Sequence, residues 1–262
     1  MNLPVFTPGL LQGWLATSFW PFVRIGACLM VAPMFGARYV PPRIRIVLAL
    51  ALTALMLPSL PQPSHPTGLL TADGVVTTAQ QVVIGLAMGF VVQLMFDALT
   101  LAGQLLANGM GLGFAFNMDP LRGTSTPALG QLYVLLGTLT FLALDGHIAL
   151  IQTLLASFRG LPIGPSGLSP AALQSLANWG SELFLGALRI ALAGMTALVV
   201  INLGFGVMSR AAPSLNLFAV GFPITLAFGL VVVLLGLPAM QSGLTELLGS
   251  AFQYLRAMTG TP

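Results

Sequence analysis

Apolar residues run along this chain in long blocks and do not alternate with polar ones. Six blocks can be marked, from about Leu10 to Phe35, Ile44 to Leu57, Val75 to Ala107, Leu129 to Phe158, Pro170 to Leu203 and Leu217 to Met258. Most approach or exceed the ~20 residues that a helix needs to cross hydrocarbon. They are too long for barrel strands and lack a period of two. The pattern predicts an all-α, polytopic integral membrane protein of about six hydrophobic helices. The first block holds Pro21 and Pro33, and the second is short. The third is long for one crossing, so it is expected to tilt, bend or extend beyond the membrane. Polar or proline-rich breaks separate the blocks: "PSLPQPSHPTG" before the third, "RGLPIGPSGLSP" after the fourth and "GFGVMSRAAPSLN" before the sixth. Within the second of these, Ser169 can cap the fifth helix, with Pro170 in its first turn.

Composition narrows the class. Of 262 residues 56% are hydrophobic and only 6% charged, against roughly a quarter charged in soluble domains. Nine basic and six acidic side chains could not cover a soluble surface of this length. All nine basic residues are arginine, and the net charge of +3 is too small and scattered for a nucleic-acid partner. The one cluster, Arg38, Arg43 and Arg45, flanks a Pro-Pro step. Placing that loop inside also places Arg122 and Arg210 inside and leaves Arg159 and Arg256 outside, which favours both termini outside. The single cysteine, Cys28, cannot make an intrachain disulfide and reads as a small packing residue. The N-terminus "MNLPVFTPGLLQGW" lacks a basic n-region, so the first apolar block is expected to remain in the mature protein.

Little here resembles a catalytic site. With no lysine there is no Walker A loop, and no H-E-x-x-H or cysteine pair occurs. No metal or other cofactor is expected, nor enzymatic activity. Asp145 and His147 form an Asp-x-His cluster that could relay a proton. Side chains two residues apart do not share a helix face, however, and a polar turn or interhelix contact is the favoured reading. Asp119 and Asp145 invite comparison with the paired carboxylates of an intramembrane protease, but no spacing brings them together, and Asp119-Pro120 reads first as a turn. Arg24, Asp97, Glu182 and Arg189 lie inside apolar blocks, where charges face a partner or water. Arg24 and Asp97 are expected to be buried and paired, with one another or with other subunits. Glu182 and Arg189 lie seven apart on one helix face.

One connection stands out. "NGMGLGFAFNMDPLRG", residues 108 to 123, is apolar and glycine-rich where a loop between helices is usually polar. Its glycines do not spell G-x-G-x-x-G. Irregular backbone at membrane depth is tolerated only where protein or water surrounds it. Flexible apolar side chains, methionine above all, form an adaptable seal, and an apolar constriction can exclude ions by dewetting. A helix connection lodged against its neighbours would look similar. Gly85 with Gly89, and Gly109 with Gly113, are spaced for close helix contact, a spacing that a glycine-rich chain also yields by chance.

Four stretches carry a resemblance that covers nearly the whole chain in order: "WPFVRIGACLMVAPMFGARYVPPRIRIVLALALTALMLPSLP", "FAFNMDP", "LALDGHIALIQTLLASFRGLPIG" and "INLGFGVMSRAAPSLNLFAVGFPITLAFGL". They resemble the FliR family of flagellar biosynthesis proteins, the R subunits of the bacterial flagellar type III export gate, with homologues in virulence injectisomes. The stretch "LFAVGFPITLAFGL" is closer to the flagellar branch. The resemblance implies helical hairpins in a hetero-oligomeric gate, with one R subunit joining P and Q subunits. Residues 1–165 would be P-subunit-like and include the plug loop 108–123. Residues 166–262 would form a Q-subunit-like C-terminal hairpin. A switch subunit and a large ring-forming export subunit would be further partners, and unfolded rod, hook and filament proteins the cargo. The location implied is the bacterial inner (cytoplasmic) membrane, in the flagellar basal body. Much apolar surface would then face other subunits instead of lipid.

Matched residue by residue, the family's plug falls on Gly109, Met110, Gly111, Leu112, Gly113, Phe114, Ala115, Phe116, Asn117 and Met118. The turn at Asp119 and Pro120 is the candidate hinge where the loop rejoins the helix. Arg24, Asp97, Asp145, His147, Glu182, Arg189 and Arg210 become candidates for subunit contacts or buried charge. The competing readings are a small-molecule transporter or channel subunit and an intramembrane enzyme. The first lacks a visible repeat and a polar midplane site, and the second lacks paired catalytic residues.

Overall fold

The computed structural model describes residues 8–36, 40–61, 71–112, 128–211 and 221–261, with side chains from residue 17 onward. Most of these residues are helical, and no strand occurs among them. In chain order the helices are α1 (Pro8–Val31), α2 (Pro42–Met56, followed by a 3-10 turn Leu57–Ser59), α3 (Ala72–Gly109), α4 (Ala128–Ala143), α5 (Gly146–Gly160), α6 (Pro170–Trp179), α7 (Ser181–Ala211) and α8 (Phe222–Thr259). Four described stretches are long and apolar enough to cross a membrane: 42–59, 72–109, 170–210 and 222–259. The broken pair α4–α5 makes a fifth if counted as one span. The chain is therefore an all-α polytopic membrane protein.

Where the helices begin and end follows local chemistry. Pro42 occupies the first turn of α2, where its missing N–H costs nothing. Thr71 accepts from the Gly74 amide (3.2 Å) at the start of α3. Ser169 accepts from the Ala172 amide (3.1 Å) with Pro170 opening α6, as the sequence predicts. Within the apolar helices, hydroxyls bond back to the carbonyl one turn earlier, as at Thr53, Thr100, Thr140 and Thr196. A hydroxyl satisfied inside its own helix adds little cost to an apolar environment.

Two expected blocks are divided. The fourth breaks at Leu144–Asp145, where Asp145 adopts a left-handed conformation (φ 54°, ψ 26°) before α5 begins. The Asp-Gly pair supplies the polar, conformationally permissive residues that such a break needs. The fifth breaks at Gly180, between α6 and α7. The third block is a single helix of 38 residues. At ~1.5 Å per residue it is about 57 Å long, well beyond a ~30 Å hydrocarbon core.

The helices form two compact units, and α3 and α8 contribute to both. Unit 1 comprises residues 1–93, 145–179 and 250–262. Its buried core includes Trp20, Ile25 and Leu29 on α1, Ile84 and Met88 on α3, Leu154 and Phe158 on α5 and Leu255 on α8. The Gly85/Gly89 pair forms an interface there. A Cβ on Gly85 would strike the Arg24 carbonyl, and one on Gly89 would come 2.6 Å from the Cys28 carbonyl. Only glycine lets α1 and α3 approach this closely. Tyr254 stacks on Trp179 (4.6 Å, 17°) and its hydroxyl bonds Ser175 (2.9 Å), fastening α6 to the end of α8.

Unit 2 comprises residues 94–144 and 180–249. Leu99 and Leu106 on α3, Tyr133 and Phe141 on α4, Leu198 on α7 and Leu244 on α8 are buried there. Phe96 and Phe141 meet edge to face at 5.6 Å. Gly103 and Gly130 let α3 cross α4 backbone to backbone, since a Cβ on Gly103 would lie 2.7 Å from the Gly130 Cα.

Candidate functional site

The apolar connection begins where α3 stops, and that stop is a specific structure. The Leu112 amide bonds the Ala107 carbonyl (3.0 Å) and the Gly111 amide bonds the Asn108 carbonyl (3.0 Å). Gly111 has φ +78°. This is the paired hydrogen bonding of a Schellman cap, with glycine at the position that must be left-handed. At least one glycine of the motif is thus assigned a local task, ending the helix.

Three contacts in unit 2 hold this end. The Asn202 side-chain amide, from α7, donates to the Gly109 carbonyl (2.9 Å), one of the carbonyls that a helix end leaves without an intrahelical partner. Leu198, one turn earlier on α7, covers Gly109 so closely that a Cβ there would sit 3.0 Å from its Cδ1. Met110 is fully buried and lies against Gly229 of α8, where a Cβ would come 2.6 Å from its Cε and 2.8 Å from its Sδ. Gly229 is the notch into which Met110 fits. Beside these contacts is a cavity of about 370 Å³ whose lining includes Asn108, Gly111, Phe205, Phe222 and Thr225. The end of α3 is therefore gripped by one hydrogen bond and a methionine in a notch, with space next to it.

The described part of the expected plug is Gly109, Met110, Gly111 and Leu112. Gly113, Phe114, Ala115, Phe116, Asn117 and Met118, with the expected hinge Asp119 and Pro120, lie outside the described residues.

Arg24 forms a second polar centre, in unit 1. It is fully buried. Its Nε donates to Gln81 Oε1 (2.8 Å) on α3, its Nη1 to Ser157 Oγ (3.2 Å) on α5, and its Nη2 to the Leu161 carbonyl (2.8 Å). The guanidinium also lies 4.2 Å from the centre of the Phe158 ring. Neutral acceptors in a fixed fork, together with an aromatic face, accommodate the cation. One side chain thereby ties α1, α3 and α5 together. Asp97 is half-buried further along α3.

The remaining charges sit mostly at helix ends. Asp145 is exposed at the break before α5, and His147 is half-buried in that helix's first turn. Glu182 lies in the first turn of α7 and Arg210 in its last, each complementing the helix dipole. Arg189 reaches Glu246 on α8 at 3.4 Å, both well exposed. Residue patterns identified the arginines of these contacts but missed Gln81, Ser157, Asn202 and Glu246. Neutral polar side chains inside apolar blocks also find partners across helices, and that was the available signal for the first three.

Comparison with known proteins places the chain in context. The profile of the family described as bacterial export proteins, family 1, matches residues 15–251. The chain is similar to the flagellar biosynthetic protein FliR of Pectobacterium carotovorum subsp. carotovorum, with 38% identity over 94% of this chain and 93% of that protein. It is similar to the protein of the same name from Escherichia coli K12, with 36% identity over 92% of each. The FliR protein of Bacillus subtilis is 25% identical over 81% of this chain and 83% of its own.

Proposed function

The chain belongs to the family of bacterial export proteins, family 1, and from that premise we propose that it is the R subunit of a flagellar export gate, closing a channel for unfolded protein. The observation that carries the reading is near-full-length similarity to two flagellar FliR proteins. By that similarity the chain is a membrane-embedded component of the flagellar export apparatus. As such a subunit it would have P and Q subunits as partners, one copy per gate, unfolded rod, hook and filament proteins as cargo, the inner membrane as location and no catalytic step.

Several features support the gate reading. Residues 161–169, where the P-like and Q-like parts would join, form a non-helical stretch between α5 and α6. The Schellman cap at Gly111 fixes where the apolar loop leaves α3, and Met110 in its notch anchors the root. A plug needs such a root, because it must return to one position after each polypeptide has passed. The loop beyond it then supplies the adaptable apolar seal.

The test is to delete Gly113–Met118, leaving the α3 cap intact, and measure ion leakage across membranes containing the assembled complex. We expect normal assembly with a large rise in leak. An unchanged leak with normal assembly would remove the plug role. Copurification settles the partners separately: P- and Q-type subunits should accompany the tagged chain, and isolation as a functional homo-oligomer would overturn the gate reading.

A further inference from the structure

A groove in unit 1 lies outside everything described so far. It runs between α1, α2 and α3 and encloses about 370 Å³, within the ~300–1,000 Å³ range of small-molecule sites. Small residues create it: Gly26 faces Ala49, and a Cβ on Gly26 would meet only the Ala49 Cβ, at 4.0 Å. Phe22, Met30 and Leu86 contribute apolar walls. Among its lining residues one is charged, Arg45, in the first turn of α2.

The groove therefore has a cationic end and an apolar body. That is the complement of an amphiphile with an anionic head. Two further observations specify which one. First, Arg45 belongs to the cluster with Arg38 and Arg43, which the positive-inside rule would place at the cytoplasmic face, the leaflet surface where anionic headgroups attract basic residues. Second, the adjoining face of α2 is bare: Val47, Leu50 and Leu55 are exposed, and only 17% of the span 42–59 is buried. An exposed apolar face of this kind is one that lipid tails can cover.

We propose that the groove between α1 and α2 holds one acyl chain of an anionic phospholipid, whose phosphate is bound by the Arg45 guanidinium. An arginine fork matches phosphate oxygens in a bidentate way, and the exposed Arg43 adds to the local positive potential. The proposal requires only that α2 meets lipid and does not depend on the identity of the other gate subunits.

The experiment uses the full chain with whatever copurifies, stripped of loose lipid and incubated with phosphatidylglycerol or phosphatidylcholine vesicles. Lipid retained per chain is then counted by native mass spectrometry. The expected result is one tightly retained phosphatidylglycerol, preferred over phosphatidylcholine by about fivefold to thirtyfold, the scale of one or two surface arginines. Arg45→Ala should abolish that preference and Arg45→Lys should keep part of it. Gly26→Leu, which fills the groove, should remove the tightly held lipid whatever its headgroup. Met30→Trp narrows the mouth from an exposed position and should do the same if the first filler fails to fold. Equal retention of the two lipids by the unaltered chain would overturn the proposal. So would unchanged retention in Arg45→Ala and the fillers, or cross-linking of Met30→Cys to a copurified protein chain with no lipid bound.

Discussion

The two regions of α3 are held in different ways. Around Gln81, Gly85 and Gly89 the helix lies against α1 backbone to backbone, and buried Arg24 bonds Gln81 while reaching two further acceptors. Around residues 108–112, among the described residues, one side-chain hydrogen bond, Leu198 against Gly109 and a methionine in a glycine notch hold it beside a cavity. The first arrangement is directional and closely packed, so it has few alternative states. The second rests chiefly on a flexible side chain beside free volume. The proposed gate would need both: a part that stays fixed under the passage of cargo, and a part whose displacement is inexpensive and reversible.

The fixed region should fail first and most severely. Arg24→Ala would leave Gln81, Ser157 and the Leu161 carbonyl short of a donor and open a cavity over Phe158. We expect a loss of roughly 3–5 kcal/mol, read as a large fall in the thermal midpoint of the purified chain and in the amount assembled. Arg24→Lys keeps the charge and loses the fork, so it should fall between. A midpoint unchanged in Arg24→Ala would break the comparison at its stronger side.

At the other end, Gly229→Val should drive Met110 from its notch. The cost of overpacking is about 1–3 kcal/mol, smaller than that of losing Arg24, but ion leak should rise more than assembly falls. Met110→Ala in the same chain makes room and should recover part of the lost stability without restoring the seal. Equal loss of stability and seal in Gly229→Val would mean that this end is as rigid as the first. Asn202→Ala removes one hydrogen bond from the Gly109 carbonyl and should cost about 1 kcal/mol. Its expected signature is faster amide exchange at Gly111 and Leu112, with exchange around Gly85 unaltered.

How much of this could be read from residues alone depends on what each signal reports. Hydropathy located the apolar blocks because it reports local burial. It ran through Leu144–Asp145 because one charged residue hardly changes a window of Leu, Ala and Ile, whereas the break is a matter of one backbone conformation. Capping chemistry is local, so Ser169-Pro170 was legible. Gly85/Gly89 was legible as a spacing, but the element it contacts was not, because spacing carries no address. Counting charges directs attention to carboxylates as partners for Arg24, while its three hydrogen bonds go to an amide, a hydroxyl and a carbonyl. Those partners are set by which helices pack together, a nonlocal property. At the candidate site the glycine-rich stretch was conspicuous from composition. The division between cap, anchor and loop required the backbone of residues 107–112 and the notch at Gly229, more than a hundred residues away.

The smallest expected effect tests a third region, the outer faces of α7 and α8. Leu203, Val207, Leu234 and Leu235 are exposed there, as are Arg189 and Glu246. Of the most apolar window of α3, 67% is buried, against 17% for α8. Something apolar must cover such a face, either lipid or other subunits. An exposed ion pair is worth only ~0.2–1 kcal/mol in water because solvent screens it. A double-mutant cycle of Arg189→Ala and Glu246→Ala on the detergent-purified chain should therefore give a coupling near the bottom of that range. Protein packed over the pair lowers the local dielectric and strengthens it, so the coupling should rise when the cycle is repeated in the assembled complex. A rise would identify α7 and α8 as faces covered by other subunits. An equal coupling in the two states would leave these faces to lipid or solvent, and the Q-like pairing proposed for residues 166–262 would lose its physical support at this position.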